Sequence, residues 1–110
     1  MTDTTTIATD AQLTTLINVF TVQPDRQRTL VDLLTRATDE VMQHIPGFIS
    51  ANIHASDDGT RVINYAQWQS PDAYREVFDN PTAQTHMKQA AAVADHFDPH
   101  LFTVESIHHR

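Results

Sequence analysis

The sequence contains no cysteine among its 110 residues. Disulfides, thiolate metal sites and cysteine nucleophiles are therefore excluded, and the absence fits a reducing compartment. Basic residues are also few, because seven Lys and Arg stand against fourteen Asp and Glu, which gives a formal net charge of -7. This charge opposes binding to nucleic-acid phosphates and to anionic lipid surfaces, so we expect neither nucleic-acid nor membrane partners.

Long apolar runs and targeting signals are missing as well. No stretch is apolar over the roughly 20 residues that a membrane-spanning helix needs. The threonine-rich segment 1–12 lacks the basic and apolar regions of a secretory signal. We interpret 1–12 as a flexible N-terminal tail and 13–110 as a single domain, and we expect a cytoplasmic protein.

The sequence pattern in the first half of the domain predicts a strand, a helix and two further strands, in that order. Leu13–Val22 is rich in β-prone residues, which indicates a strand. Apolar residues recur every three or four positions over Asp25–Ile45, which predicts a helix that a Pro-Gly pair ends. Phe48–Ser56 alternates with a period of two, and Arg61–Gln69 follows an Asp-Gly turn, so these segments predict a hairpin.

The second half predicts helix and then strand. Ser70-Pro71 and Asn80-Pro81 both have the form of a helix N-terminus, which predicts two helical pieces running to about Asp95. Leu101–Ile107 is predicted as the last strand. The order β-α-β-β-α-β predicts an α+β, ferredoxin-like fold, with the first and third strands in the middle of an antiparallel sheet and the helices on one face.

Both predicted central strands are apolar on their two faces. In the first strand, Leu16 and Phe20 share one face, whereas Ile17 and Val19 share the other. An apolar sheet face without helices has to be covered, and the sequence offers no further element for it. We therefore predict a homodimer that packs sheet on sheet, a dimeric α+β barrel, with a monomer as the alternative.

Two asparagines and the single tryptophan interrupt this apolar pattern. Asn18 shares a face with Leu16 and Phe20, and Trp68 shares a face with Asn64, four residues before it. A buried carboxamide without a hydrogen bond costs roughly 1–3 kcal/mol. If all three side chains face the helices, they form a polar spot in an apolar cleft, which is typical of a small-molecule site. The alternative is that each asparagine bonds to a backbone group or caps a β-bulge.

The stretch Val62–Ser70, followed by Ala73-Tyr74-Arg75, resembles the antibiotic biosynthesis monooxygenase family. The resemblance is greatest to its aromatic-polyketide branch, whose members turn anthrones into quinones. The segment Asn18–Val22 and the junction Pro46-Gly47-Phe48 agree with it, and the likeness covers about residues 17–107.

This resemblance implies a monooxygenase that uses O2 without flavin, haem or metal and acts on a polycyclic aromatic substrate in antibiotic biosynthesis. It implies that Asn64 and Trp68 hold the substrate oxygen and assist oxygen transfer, and that Tyr74 transfers a proton. Asn18 matches an asparagine of the same branch. Lys88 matches a basic residue expected in the second helical region.

Elementary chemistry agrees with such a reaction. An anthrone C–H is acidic because proton loss gives an aromatic enolate, and this electron-rich carbanion can pass one electron to O2. The N–H groups of the two asparagines and the tryptophan can donate to the developing oxyanion. Tyr74 can protonate the resulting peroxide. Either His54 or His100 could take the C–H proton, or both could be solvent-exposed.

The pocket itself is expected to be mainly aromatic. The predicted substrate-binding residues are Phe20, Phe48, Phe78, His86, Met87 and Lys88. Phe97 and Phe102 are expected to affect its shape.

Two other functions stay open. The haem-degrading branch of the same superfamily has its iron-binding histidine near His86 and an asparagine matching Asn18, but its tryptophan would fall near Val77 or Phe78. His86 could equally be a surface histidine. A non-catalytic dimeric barrel that binds a small aromatic metabolite is the other alternative, since one fold hosts many functions. We predict no metal site, because Asp98-Pro99 disrupts the most promising histidine pair.

Overall fold

The structure, a computed structural model, describes residues 3–110 and centres on two adjacent antiparallel strands, β1 (Thr14–Thr21) and β3 (Arg61–Trp68). β2 (Phe48–Ala55) pairs with β3, and β4 (His96–Phe102) pairs with β1, so the sheet order is β2-β3-β1-β4. This is the predicted arrangement, and the ferredoxin-like α+β class is confirmed.

Three α-helices pack on one side of the sheet. They are α1 (Gln27–Glu40), α2 (Pro71–Arg75) and α3 (Pro81–Val93). Short 3-10 turns adjoin them at Pro24–Arg26, Met42–His44 and Glu76–Asp79. Over residues 3–110, none of the helices combines the length and apolarity required to cross a membrane.

The helix boundaries follow local chemistry. Ser70 Oγ accepts from the backbone N–H of Ala73 at 3.1 Å, and Asn80 Oδ1 accepts from that of Ala83 at 3.0 Å, so both predicted N-caps form. The single helix predicted over Asp25–Ile45 is wrong in its extent. The backbone leaves the helical region at Val41 (φ -129°, ψ -61°), and 3-10 turns replace both of its ends.

The last strand lies about five residues earlier than predicted. β4 pairs with β1 from His96 to Phe102, not over Leu101–Ile107. Pro99 lies within this strand, because a proline is tolerated on an edge strand, where its missing N–H costs no ladder bond. Phe97, Pro99 and Leu101 therefore alternate with His96, Asp98 and His100 in the edge strand.

The core lies between the sheet and the helices in two clusters. One gathers around Leu16, Trp68 and Val77, and the other around Leu30 and Val62, which are fully buried. Residues of both clusters border the same cavity. The packing therefore leaves an open space in the middle of the layer instead of filling it.

The sheet face opposite the helices carries a second group of apolar side chains and a polar patch. Ile17 lies opposite Tyr65 across β1 and β3, and both are half-buried. At the β2 side, Thr5 Oγ1 donates to Asn52 Oδ1 at 2.6 Å, and Gln67 Nε2 donates to the carbonyl of Thr6 at 2.9 Å.

The N-terminal segment thus covers part of a face for which the sequence offered no cover. Of the predicted tail over residues 1–12, Met1 and Thr2 lie outside the described residues. The domain boundary at residue 13 stays a prediction.

Candidate active site

Asn18 and Asn64 lie directly opposite each other on the two central strands. Trp68, four residues beyond Asn64, projects from the same face, and all three side chains line one cavity between sheet and helices. The structure therefore brings the three polar interruptions of the sequence together.

The cavity has a volume of about 270 Å³. On the sheet side it is bounded by Leu16, Phe20, Phe48, Ala51, Ala66, Phe97 and Pro99, besides the three polar residues. On the helix side it is bounded by Leu34, Ala37, Thr38, Met42, Tyr74, Val77, Phe78, His86, Met87, Ala90 and Ala91. The wall is thus mostly apolar with a few placed polar groups, as in sites for small molecules.

Two buried polar atoms in this cavity have no hydrogen-bond partner within the described part of the chain: Asn64 Oδ1 and Trp68 Nε1. Trp68 is only 3% exposed. Leaving a buried donor or acceptor unpaired costs about 1–3 kcal/mol, and folded proteins rarely tolerate it. One acceptor and one donor without partners thus belong to side chains that line an apolar space, and such a pair is suited to a ligand that carries a polar oxygen.

Asn18, unlike Asn64, has its side-chain oxygen in a hydrogen bond within the protein. Its Oδ1 accepts from the backbone N–H of Asp98 on β4 at 3.2 Å. This bond fixes the carboxamide through its oxygen, so its Nδ2 is the atom available to a ligand. Since an N–H group stabilises negative charge on oxygen, Asn18 is suited to an oxyanion.

An aromatic row forms one end of the cavity. Phe48 packs edge-on against Trp68 with ring centroids 5.5 Å apart, and Tyr74 follows with centroids 6.2 Å from Trp68. Phe78 packs edge-on against Tyr74 at 5.3 Å. Phe78 is 44% exposed, so this end of the row reaches the surface.

Tyr74 is the first ionisable group of the cavity. Burial raises the pKa of its phenol above the ordinary value of 10.0. The group is therefore protonated at neutral pH, and it can donate a proton but not accept one.

His86 is the second ionisable group of the cavity. Its side chain is 13% exposed, and its Nε2 lies 3.6 Å from Oε2 of Glu40 at the end of α1. His86 was predicted to lie in the pocket, whereas Glu40 was not. The two residues are 46 positions apart along the chain and no motif joins them, so nothing in the sequence indicated that they would meet.

Several residues that were predicted for the site lie outside the cavity. Lys88 is exposed and lies outside the lining of the cavity, and so does Phe102. His54 and His100 alternate with cavity-lining neighbours, so both lie on the opposite sheet face and are exposed. The interpretation of either as the base therefore does not fit this cavity. His100 instead pairs with Asp98 at 2.8 Å.

Other wall residues were missed by the sequence analysis. Thr38, Met42 and Pro99 line the cavity. Pro99 was missed because it was placed outside a strand, whereas Thr38 and Met42 are ordinary in a helical pattern. Residues 3–110 contain no group of three or more His, Asp or Glu side chains placed to hold a metal ion.

The chain matches the family model described as "Antibiotic biosynthesis monooxygenase" over residues 14–93. The chain belongs to the antibiotic biosynthesis monooxygenase family. The matched range holds Asn18, Asn64, Trp68, Tyr74 and His86, and thus every polar cavity residue discussed above.

Individual relatives agree with this membership. The tetracenomycin-F1 monooxygenase of Streptomyces glaucescens is 43% identical over 89 residues, which are 81% of this chain and 80% of the relative. The predicted family and the predicted enzyme class, a monooxygenase, are confirmed.

Solved structures show the same fold. The monooxygenase from the gene ActVA-Orf6 of Streptomyces coelicolor, solved with nanaomycin D, is 30% identical with a TM-score of 0.76, covering 91% of this chain and 93% of its own. SnoaB of Streptomyces nogalater, described as a cofactor-independent oxygenase, has a TM-score of 0.74 at 23% identity, covering 88% of this chain and 97% of its own. At this identity the likeness to SnoaB concerns the fold.

In this family member, the Pro46-Gly47-Phe48 junction positions the aromatic row. Gly47 has φ +90°, and a Cβ built on it would lie 2.5 Å from Cβ of Ala73, next to Tyr74. The Gly47 carbonyl also accepts from the N–H of Gln69 at 2.8 Å. A glycine here lets the entry to β2 approach the start of α2 closely.

We therefore expect Gly47→Ala to destabilise the fold by roughly 2 kcal/mol or more, because backbone strain and overpacking add. Gly59→Ala is the matched control: φ is also positive (+80°), but the nearest atom, Cβ of Pro24, lies at 3.4 Å. It should cost roughly 1–2 kcal/mol. Urea unfolding of both variants measures the difference, and equal losses would contradict the close approach of Gly47 to Ala73.

Proposed function

We propose that this chain is a monooxygenase that uses O2 without a cofactor to oxidise a polycyclic, anthrone-type aromatic to a quinone, in the biosynthesis of an aromatic polyketide antibiotic. The observation that carries the proposal is a pair of buried, unpartnered polar atoms, Asn64 Oδ1 and Trp68 Nε1, on side chains that line a largely apolar cavity. A flat aromatic with few oxygens complements both properties of this space.

The proposed reaction begins with loss of a proton from the substrate methylene, which leaves an enolate. Its oxygen accepts hydrogen bonds from Nδ2 of Asn18, the carboxamide of Asn64 and the indole N–H of Trp68. An asparagine carboxamide has both a donor and an acceptor end, and rotation about its last bond exchanges them. The apolar wall excludes water, which strengthens these bonds.

The enolate then passes one electron to O2, and recombination forms a C–O bond to a peroxide. Tyr74 protonates this peroxide. Cleavage of the O–O bond with loss of the second methylene proton releases water and leaves the carbonyl of the quinone. The overall balance is one methylene and one O2 to one carbonyl and one water, with no external reductant.

The names of the relatives support this choice. The relative with 43% identity is a tetracenomycin-F1 monooxygenase, and the relative solved with nanaomycin D gives a precedent for a small-molecule ligand in this fold. SnoaB, described as a cofactor-independent oxygenase, supports the proposal that no cofactor is needed.

Oxygen uptake with dithranol, a simple anthrone, tests the proposal. Purified protein without added cofactor should consume one O2 per dithranol and release the corresponding quinone. Tight binding of dithranol without enzyme-dependent uptake would favour the non-catalytic alternative. Titration with hemin addresses the haem-degrading alternative, and we expect no Soret shift; a shift lost in His86→Ala would favour that alternative instead.

We also propose that two copies associate through the sheet face opposite the helices. Ile17, Val19, Ile63 and Tyr65 lie there only half-buried, and Phe102 is 48% exposed at the edge. Covering such a face with a second copy removes apolar surface from water. Sedimentation at micromolar concentration should give the mass of two chains, and a stable monomer would refute this association.

A further inference from the structure

The proposed reaction needs a base for the methylene proton, and the cavity offers few groups that can serve. Among the side chains of residues 3–110 that line it there is no Asp, Glu, Lys or Arg, and Tyr74 and His86 are the ionisable ones. Tyr74 holds its proton at neutral pH, because burial raises its pKa. The imidazole of His86, in contrast, has a nitrogen lone pair that can accept a proton.

We propose that His86, held beside Glu40, is the general base that removes the methylene proton of the substrate. This inference rests on the proposed function, and it names the group that starts the reaction at the same site. His86 extends from α3 into the helix-side wall of the cavity, whereas the asparagines and the indole are in the sheet-side wall. A flat substrate between the two walls meets the base on one side and the oxyanion donors on the other.

Glu40 gives His86 the properties that a base needs. With Nε2 lying 3.6 Å from Oε2 of Glu40, the imidazole leaves Nδ1 as the nitrogen for the substrate. The carboxylate also stabilises the imidazolium that forms when the proton arrives. Glu40 is 57% exposed and does not line the cavity, so it acts as a positioning residue.

The proposed step balances. The methylene C–H bond breaks, its proton moves to Nδ1 of His86, and the electron pair stays in the enolate held by the donors of the sheet. Tyr74 later gives a proton to the peroxide. The proton on His86 then returns the Tyr74 phenolate to phenol through solvent, so both side chains regain their starting states after each turnover.

Anaerobic hydrogen exchange tests this step without oxidation. In D2O without oxygen, the wild-type protein should accelerate exchange of the dithranol methylene above the buffer rate, as followed by NMR. His86→Ala and His86→Gln should lose this acceleration by roughly 10²–10⁴-fold, while the affinity for the quinone product stays within about twofold. Imidazole added to His86→Ala should restore exchange in proportion to its concentration.

Two further variants separate a base from a packing residue. Glu40→Gln should slow exchange by about two- to fivefold, as expected for a partly exposed ion pair, without changing product affinity. His44→Ala, at an exposed histidine on the turn after Glu40, is the matched control and should exchange like the wild type.

The outcomes distinguish this inference from the proposed function. Full exchange in both His86 variants, or a loss that imidazole does not restore, would overturn the assignment of His86 even if oxygen uptake stands. His86-dependent exchange in a protein that fails to consume oxygen would instead support the base and overturn the oxygenase.

Discussion

Asn64→Ala and Trp68→Phe are each expected to lower kcat with dithranol by roughly 10²–10³-fold, the usual effect of removing one donor from a developing oxyanion. Both replacements leave the apolar wall largely in place, and Trp68→Phe removes the indole N–H while keeping an aromatic ring between Phe48 and Tyr74. Steady-state oxygen uptake measures the effect.

Both variants should remain folded. Asn64 Oδ1 and Trp68 Nε1 have no partner in the described structure, so their removal breaks no hydrogen bond of the protein at those atoms. Asn52→Ala is the control asparagine: it lies in β2 on the opposite sheet face, where it donates to Ser50 and to the carbonyl of Tyr65. We expect that variant to lose some stability and to keep its turnover. Wild-type rates in both Asn64→Ala and Trp68→Phe would refute the roles assigned to these side chains.

Tyr74→Phe should lower kcat by roughly 10²–10⁴-fold and leave the affinity for the quinone unchanged. The ring contacts to Trp68 and Phe78 persist in phenylalanine, so the phenol hydroxyl is what is lost. Oxygen uptake should slow more than anaerobic methylene exchange, because Tyr74 acts after O2 has reacted. Equal slowing of both steps would show that Tyr74 contributes to proton removal instead.

The proposed role of Tyr74 predicts the direction in which the reaction rate changes with pH. Tyr74 donates only as the neutral phenol, and burial raises its pKa above 10.0, so ionisation of Tyr74 reduces the rate only at a pH above the ordinary tyrosine range. A wild-type rate that falls at a lower pH, with no such fall in Tyr74→Phe, would contradict the burial of this phenol.

The central strands and their polar residues were predictable because the strand period is two. Once β1 and β3 are neighbours, alternation alone puts Asn18 with Leu16 and Phe20, and Trp68 with Asn64, and the pairing of Asn18 with Asn64 follows from the register. The position of β4 was predicted wrongly. This strand contains Pro99, whose local preference against strands is outweighed by its position at the sheet edge.

The helix side of the site was less predictable. A helical pattern shows which residues are apolar, but not which of them border a cavity, so Thr38 and Met42 went unnoticed. His86 and Glu40 meet because α1 and α3 pack together, which depends on tertiary geometry that neither segment encodes alone. Lys88, placed by resemblance, lies two residues beyond His86 on the same helix and is exposed.

A crystal soaked with a tricyclic quinone would show whether Asn18, Asn64 and Trp68 bind the substrate oxygen. We expect the quinone to lie in the cavity between sheet and helices, with one carbonyl oxygen about 2.7–3.1 Å from the side-chain nitrogens of Asn64 or Asn18 and from Nε1 of Trp68. A quinone bound elsewhere, or bound in the cavity with both carbonyls away from these three side chains, would contradict it.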